Sequence, residues 1–149
     1  MKLLHIIYAW VAISMMAHST TVMGQQCEKG GRLEGTWTCI SAIVDGKPLP
    51  EATVKLLHLT LTKDQYKTEK GDEVLFDSSY RVDAAQAPAQ IDMVGTEGDL
   101  KGKEAHGIYS IDEDTLKICY TMPGKERPTA FESVAGSKAY LIVWKRQKS

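Results

Sequence analysis

The chain has 149 residues, of which 25% are charged, and its formal net charge is −1 with histidine neutral. Such a balance offers no electrostatic attraction for nucleic acid or for an anionic membrane surface. About 125 residues follow the N-terminal segment described next, and a chain of that length is expected to fold as one domain without a metal or a dense disulfide framework.

The first 24 residues differ in composition from the rest of the chain. Lys2 supplies a positive start, and the stretch Leu3 to Met16 is almost entirely apolar. This pattern predicts a secretory signal peptide over 1–24 that is cleaved after Gly24. A membrane-spanning anchor is the alternative, but the apolar run is shorter than the roughly 20 residues that a span requires. A lipid anchor on Cys27 is not favoured because Gln26, and not a small residue, precedes it. We therefore expect a secreted or periplasmic protein without a stable membrane anchor.

After a flexible lead at 25–32, apolar and polar residues alternate with a period of two, which predicts strands with one buried face. In chain order, the predicted strands cover residues 36–44, 57–62, 65–69, 73–82, 90–94, 106–111, 115–122 and 138–145. The only predicted helical turn covers 50–55. Eight short strands without a long helix favour an all-β fold, an eight-stranded antiparallel up-and-down barrel. A two-sheet sandwich of the same strands is the alternative.

Three cysteines follow the predicted cleavage site, and in an oxidising compartment they allow one bridge with three choices of partner. Strand phase places Cys39 on the same face as Trp37, whereas Cys119 lies opposite the apolar side chains of its own strand. Cys39 and Cys119 are therefore expected to point apart. A disulfide between Cys27 and Cys119 is the pair to test first, and three free thiols are the alternative.

The segment LEGTW at 33–37 resembles the Gly-x-Trp signature of lipocalin-like barrels. In those proteins the tryptophan closes one end of the barrel, and a basic residue late in the last strand lies across its indole. Trp37 and Arg146 stand at the matching positions, the latter just after LIVW at 141–144. The resemblance therefore implies a stacked Trp37–Arg146 pair, a cation–π contact of about 0.5 to 2 kcal/mol.

A more specific resemblance, from Leu33 to Arg146, is to a lipocalin-like family of uncharacterised secreted proteins abundant in planctomycete bacteria. It rests on LEGTW, VDGKPLP, APAQID at 87–92, HGIYSIDEDTLKICY at 106–120 and PGKERPTAF at 123–131. The resemblance implies a lipocalin-like β-barrel domain over 33–147 and a planctomycete source. The family has no established activity, so it implies no catalytic residues.

PGKERPTAF connects the seventh and eighth predicted strands and is the first candidate for a special role. Pro123 and Pro128 stiffen it, because each fixes φ and lacks a backbone donor. Arg127 has five donors with which to bind carbonyl groups or a carboxylate such as Asp92, and Phe131 is expected to tuck under the loop. We predict a structural latch across one end of the barrel.

The alternative for this loop is a rim in which Lys125, Glu126 and Arg127 recognise an anionic or polar ligand. No metal site or cofactor is predicted, because the two histidines after residue 24 lack other ligands at a suitable spacing. No motif for nucleophilic or acid–base catalysis is present either. Were the protein an enzyme, Glu126, Arg127, His106 and Tyr109 would be the first suspects.

The barrel interior decides between the remaining functions, because eight strands enclose either a filled core or a cavity for one small ligand. The residues predicted to face inward are Trp37, Leu57, Leu59, Leu61, Phe76, Tyr80, Ile91, Met93, Ile108, Leu116, Ile118 and Tyr120. We expect non-catalytic binding of a small, largely apolar molecule by a monomer. The candidate ligand contacts are Tyr80, Met93, Tyr109, Tyr120 and Arg127. The alternatives are a packed barrel that acts as a protein-interaction or structural module of the envelope and, third, an enzyme with a site at the barrel mouth.

Overall fold

A computed structural model describes residues 32–148, and this part of the chain is almost entirely β-structure. The strands are β1 Gly35–Val44, β2 Lys47–Pro48, β3 Leu57–Leu61, β4 Gln65–Lys70, β5 Glu73–Asp83, β6 Ala89–Gly95, β7 Glu104–Asp112, β8 Thr115–Thr121 and β9 Ala139–Arg146. One short helix, α1 Glu51–Val54, occupies the predicted helical turn, and a 3-10 turn covers Gly98–Leu100. The predicted signal peptide, the lead up to residue 31 and Cys27 lie outside the described residues. Between residues 32 and 148 no helix is long and apolar enough to cross a membrane.

The strands form a closed antiparallel barrel. Each of β3 to β9 is hydrogen-bonded to its neighbour in chain order, and β1 pairs with both β3 and β9, so that eight strands close on themselves. The two-residue β2 pairs only with the end of β1 and lies outside the ring. The predicted barrel and all eight predicted strands are therefore confirmed, and the two-sheet alternative is wrong.

The first strand closes the ring because its two edges pair with different strands over different lengths. Its first four residues, Gly35 to Thr38, pair with β3, while residues from Trp37 to Val44 pair with β9. The register with β9 shifts between Cys39 and Ser41. A bulge of this kind increases local twist and helps a sheet to curve.

One end of the barrel is closed by Trp37, which is fully buried and donates its indole N–H to the Leu33 carbonyl at 3.0 Å. The Arg146 guanidinium lies over the indole, 4.1 Å from the ring, and Nη1 donates to the Glu34 carbonyl at 2.7 Å. Gly35 has a φ of 134°, and a Cβ there would lie 2.9 Å from Arg146 Nη1. The glycine of Gly-x-Trp is thus required by its backbone conformation, and any side chain there would also displace the Arg146 guanidinium.

The opposite end is the mouth of the barrel. Four connections surround it: residues 45–56, 71–72, 96–103 and 122–138. The remaining hairpins lie at the closed end, and the core near Trp37 is tightly filled by large side chains such as Leu59, Leu116 and Trp144. Any cavity within the barrel must therefore lie towards the mouth.

One predicted inward residue faces the other way. Tyr109 belongs to the core and pairs in register with Ile118, whereas Ile108 pairs with Cys119 and points outside the barrel. Ile108 is nevertheless only 1% exposed. The prediction that Ile108 faces the interior is wrong: a segment outside the barrel covers this part of the wall, so an apolar side chain is buried on the otherwise polar outer face of β7.

Candidate functional site

A cavity of about 310 Å³ lies inside the barrel at its mouth. The inner faces of seven strands and residues of three mouth connections contribute to it, so its walls are held by the closed hydrogen-bond network of the barrel. The lining residues are Val44, Leu49, Thr53, Leu57, Thr68, Lys70, Leu75, Phe76, Leu100, Ala105, Tyr120, Met122, Pro123, Tyr140 and Ile142.

The lining is mostly apolar, with an aromatic wall on one side. Tyr120 and Tyr140 are stacked, with ring centroids 4.9 Å apart and planes 7° from parallel. Burial raises the pKa of Tyr120 well above its ordinary value, so this phenol remains neutral at any physiological pH. Within the described residues, Lys70 is the only charged side chain of the lining. The cavity therefore suits a molecule with an apolar body.

Only one of the five predicted ligand contacts lines this cavity, and that residue is Tyr120. Met93 is fully buried in the packed core. Tyr80 lies towards the closed end, where its hydroxyl donates to the Thr62 carbonyl at 2.7 Å. Tyr109 lines a separate depression at that end together with Phe131. Arg127 lies on the outer wall, so the structure does not bring these five side chains together.

Sequence reasoning missed most of the lining because loops supply much of it. Leu49, Thr53 and Leu100 belong to mouth connections without a periodic pattern. One usable signal was present in β4, where Tyr66, Thr68 and Lys70 share the inward phase. That alternation places Lys70 at the inner rim of the barrel, where Leu57 is its register partner.

We call residues 122–138, between β8 and β9, the strap. Its first residues line the cavity, but the strap then runs along the outside of the barrel wall. The Thr121 hydroxyl donates to the Glu126 carbonyl at 2.8 Å, and the Lys117 ammonium lies 5.6 Å from the centre of the Phe131 ring. Lys117 and Thr121 both project outward from β8. The predicted latch across one end of the barrel is therefore wrong: Pro123 lines the cavity, but the rest of PGKERPTAF covers the outer face of the wall.

Arg127 fastens the strap to this wall. Its Nη1 donates to the carbonyls of Gly107 at 2.7 Å and Ile91 at 3.2 Å, and its Nη2 donates to Asp92 Oδ1 at 2.6 Å. Only 24% of the Arg127 side chain is exposed. The expected bonds from Arg127 to carbonyl groups and to Asp92 are confirmed.

Asp92 is the centre of a charged cluster on the outer wall. His106 Nδ1 donates to Asp92 Oδ1 at 2.7 Å, and Arg81 Nη2 lies 3.3 Å from Oδ2 and also contacts Glu104. Burial alone would raise the pKa of Asp92, but hydrogen bonds from His106 and Arg127 lower it below its ordinary value. Asp92 is therefore held as a carboxylate by its partners.

The same cluster has the ligand types of a metal site, but its charges are already neutralised. Ligand atoms of Asp92, Glu104 and His106 lie within 4.8 Å of one another. Both carboxylates are paired with guanidinium groups, from Arg81 and Arg127. A cation would have to displace these groups from their carboxylate partners, so we interpret the cluster as an ion-pair network that holds the strap.

The two described cysteines lie on opposite faces of the barrel wall, as the sequence predicts. Cys39 belongs to the interior core, where burial raises its pKa to about 11. Cys119 lies outside, beneath the strap, and its thiol donates to the Glu132 carbonyl at 3.3 Å. The bridge between Cys27 and Cys119 stays a prediction, because Cys27 is outside the described residues.

Comparison of the chain with family models, with curated proteins and with solved structures found no match.

Proposed function

We propose that this protein binds a small, largely apolar molecule, without catalysis, in the cavity at the mouth of its barrel. The observation that carries the proposal is a cavity of about 310 Å³ with a mostly apolar lining, next to a closed end that is fully packed. Binding sites for small molecules are typically concave, apolar and supplied with a few polar groups. The cavity favours this function over the packed-barrel alternative.

The volume limits the size and affinity of the ligand. At roughly 30 Å³ for each water-sized group, the cavity holds about ten non-hydrogen atoms. Burial of about 200 Å² of apolar ligand surface at ~25 cal/mol/Å² contributes about 5 kcal/mol. That free energy corresponds to a Kd of about 0.2 mM, so we expect sub-millimolar binding of a compact ligand.

The proposal also includes a setting for this activity. The apolar segment 1–24 supports export to a secreted or periplasmic location. The stacked Trp37–Arg146 pair at the closed end, together with the motifs quoted above, supports membership of the lipocalin-like family. A carrier or sensor of a small molecule outside the cytoplasm is the function that combines these features.

Filling the cavity tests the proposal. Ala105 is 3% exposed and lines the cavity, so Ala105→Phe adds six ring carbon atoms that fill a substantial part of the volume. The matched control is Ala85→Phe, at an exposed position in the hairpin between β5 and β6 at the closed end.

The measurement is an NMR titration with 1-octanol, followed through the methyl groups of the protein. We expect saturable shifts with a sub-millimolar Kd in the wild type and in Ala85→Phe, and at least ten-fold weaker binding in Ala105→Phe. Thermal unfolding verifies that both variants are folded. Equal octanol affinity in all three folded proteins, or no saturable binding in the wild type, contradicts the proposal.

A further inference from the structure

We infer that the ligand is an anionic amphiphile, a compact apolar body with one acidic group, and that the acidic group is bound by Lys70. This inference rests on the proposed function and adds the chemical class of the ligand. It is carried by the position of Lys70 and by the distribution of charge around the cavity.

Lys70 is placed at the boundary between the cavity and solvent. It is the last residue of β4, in the same inward phase as the buried Tyr66 and Thr68, and it is itself exposed. Its register partner across the sheet is Leu57, which also lines the cavity. Lysine side chains in such places lay their methylene stem on apolar surface and keep the ammonium group in water. The ammonium is therefore available at the rim while the cavity below it stays apolar.

The charge of Lys70 is also not neutralised by a neighbour. Between residues 32 and 148 no carboxylate lies within 4.0 Å of its ammonium group, and Glu73, its register partner in β5, forms no such ion pair. By contrast, Lys67 faces outward from the same strand and contacts Glu69 at 2.7 Å. Lys70 is thus free to attract an anion.

The lining selects the sign of the head group. Its polar members other than Lys70 are the hydroxyl groups of Thr53, Thr68, Tyr120 and Tyr140, and it contains no carboxylate among the described residues. A cationic amphiphile would be repelled by Lys70, and a neutral one could accept only a weaker hydrogen bond from its ammonium group. A carboxylate or similar acid gains a charge-assisted hydrogen bond at the rim, while its apolar body fills the cavity.

The size of the cavity leads to a specific pair of probes. Octanoate has ten non-hydrogen atoms, which matches the roughly ten that the volume holds, and 1-octanol offers the same chain with a neutral head. The variant Lys70→Met keeps a long apolar side chain and removes the charge. Lys67→Met is the control, because it makes the same change of net charge on the outer face of the same strand.

The test compares the ratio of octanoate to 1-octanol affinity among the three proteins by NMR titration. A partly exposed ion pair contributes up to about a five-fold change in affinity. We expect the ratio to fall about five-fold in Lys70→Met and to stay within two-fold of the wild type in Lys67→Met. Raising the salt concentration to about 0.5 M should lower the ratio in the wild type, because a partly exposed pair is screened, and leave it unchanged in Lys70→Met.

The outcomes separate this inference from the function on which it rests. If neither probe binds, the cavity-binding proposal fails. If both bind and the ratio is the same in the wild type and Lys70→Met, the cavity binds ligands but the anionic class is wrong. An equal fall of the ratio in Lys67→Met also overturns the inference, since the effect would then reflect net charge and not the rim lysine.

Discussion

Removal of the Arg127 guanidinium should release the strap and destabilise the barrel. Arg127→Met eliminates two hydrogen bonds to backbone carbonyls, at 2.7 and 3.2 Å, and one to Asp92 at 2.6 Å. Hydrogen bonds to charged groups contribute roughly 1.5 to 3 kcal/mol each when buried. The total loss should be smaller than the sum of three such bonds, because one guanidinium makes all three and water can enter the opened site. His106 and Arg81 also remain beside Asp92. We therefore expect the free energy of unfolding to fall by about 2 to 3 kcal/mol.

Urea and thermal unfolding measure this loss. For a domain of this size the expected fall in Tm is about 4 °C per kcal/mol, or about 8 to 12 °C. Arg127→Lys should lose an intermediate amount, because an ammonium group keeps the charge but lacks the planar fork. Arg81→Met is the control: its side chain is 67% exposed, so it should lose less than about 1 kcal/mol. A loss below about 0.5 kcal/mol in Arg127→Met would refute the anchoring role.

Three further predictions concern other contacts of the wall and the closed end. The pKa of Asp92 is lowered in the folded protein, so the carboxylate contributes its full stability above about pH 4, and this contribution is lost as the pH falls through the folded pKa. In urea unfolding from pH 2 to 6, Asp92→Asn should therefore reduce the dependence of the free energy of unfolding on pH, and an unchanged dependence contradicts the assignment. Arg146→Met removes the guanidinium 4.1 Å from Trp37 and should lower the free energy of unfolding by about 1 to 3 kcal/mol, whereas wild-type stability would show that the stack contributes nothing. Gly107→Ala places a Cβ 2.8 Å from the Cys119 carbonyl oxygen and should lower the free energy of unfolding, measured by thermal unfolding, by about 1 to 3 kcal/mol. An unchanged free energy of unfolding would mean that β8 can shift to accommodate the added methyl group.

The strands could be predicted from the sequence because the barrel repeats one simple pattern. Leu57, Leu59 and Leu61 alternate with polar residues, and in the structure all three are buried. The bond between Arg127 and Asp92 was also predictable, since a stiff loop with one arginine needs an acceptor for its donors. The residue types and spacings were sufficient where the pattern is local.

The path of the strap was not predictable, because alternation indicates a buried face only when the other face is exposed. Ile108 and Tyr109 are adjacent in β7 and both buried, one beneath the strap and one inside the barrel. A segment with apolar residues in both phases gives no sign of which phase points inward. Once a loop covers the outer face, the period of two no longer identifies the interior.

The place of the cavity was missed for a related reason. Phase tells which side chains face inward but not how the side chains of opposite walls fill the space between them. Met93 and Tyr120 share the inward phase, yet Met93 lies in the packed core and Tyr120 lines the cavity. Register does not separate these two residues, because the partner of Met93 is Ala105, which itself lines the cavity. Which inward side chains border empty space depends on how the side chains of all the strands pack inside the closed barrel.

Contacts between a bound ligand and the interior methyl groups test the central claim most directly. Isotope-filtered NOE spectra of the protein with 1-octanol should show contacts from the octyl chain to the methyl groups of Leu57 and Ile142, which line the cavity. No contacts are expected to Leu116, in the packed core, or to Ile40, on the outer wall. Octyl contacts confined to Ile40, or none to Leu57 and Ile142 at saturating octanol, would contradict a ligand-binding cavity at the mouth of this barrel.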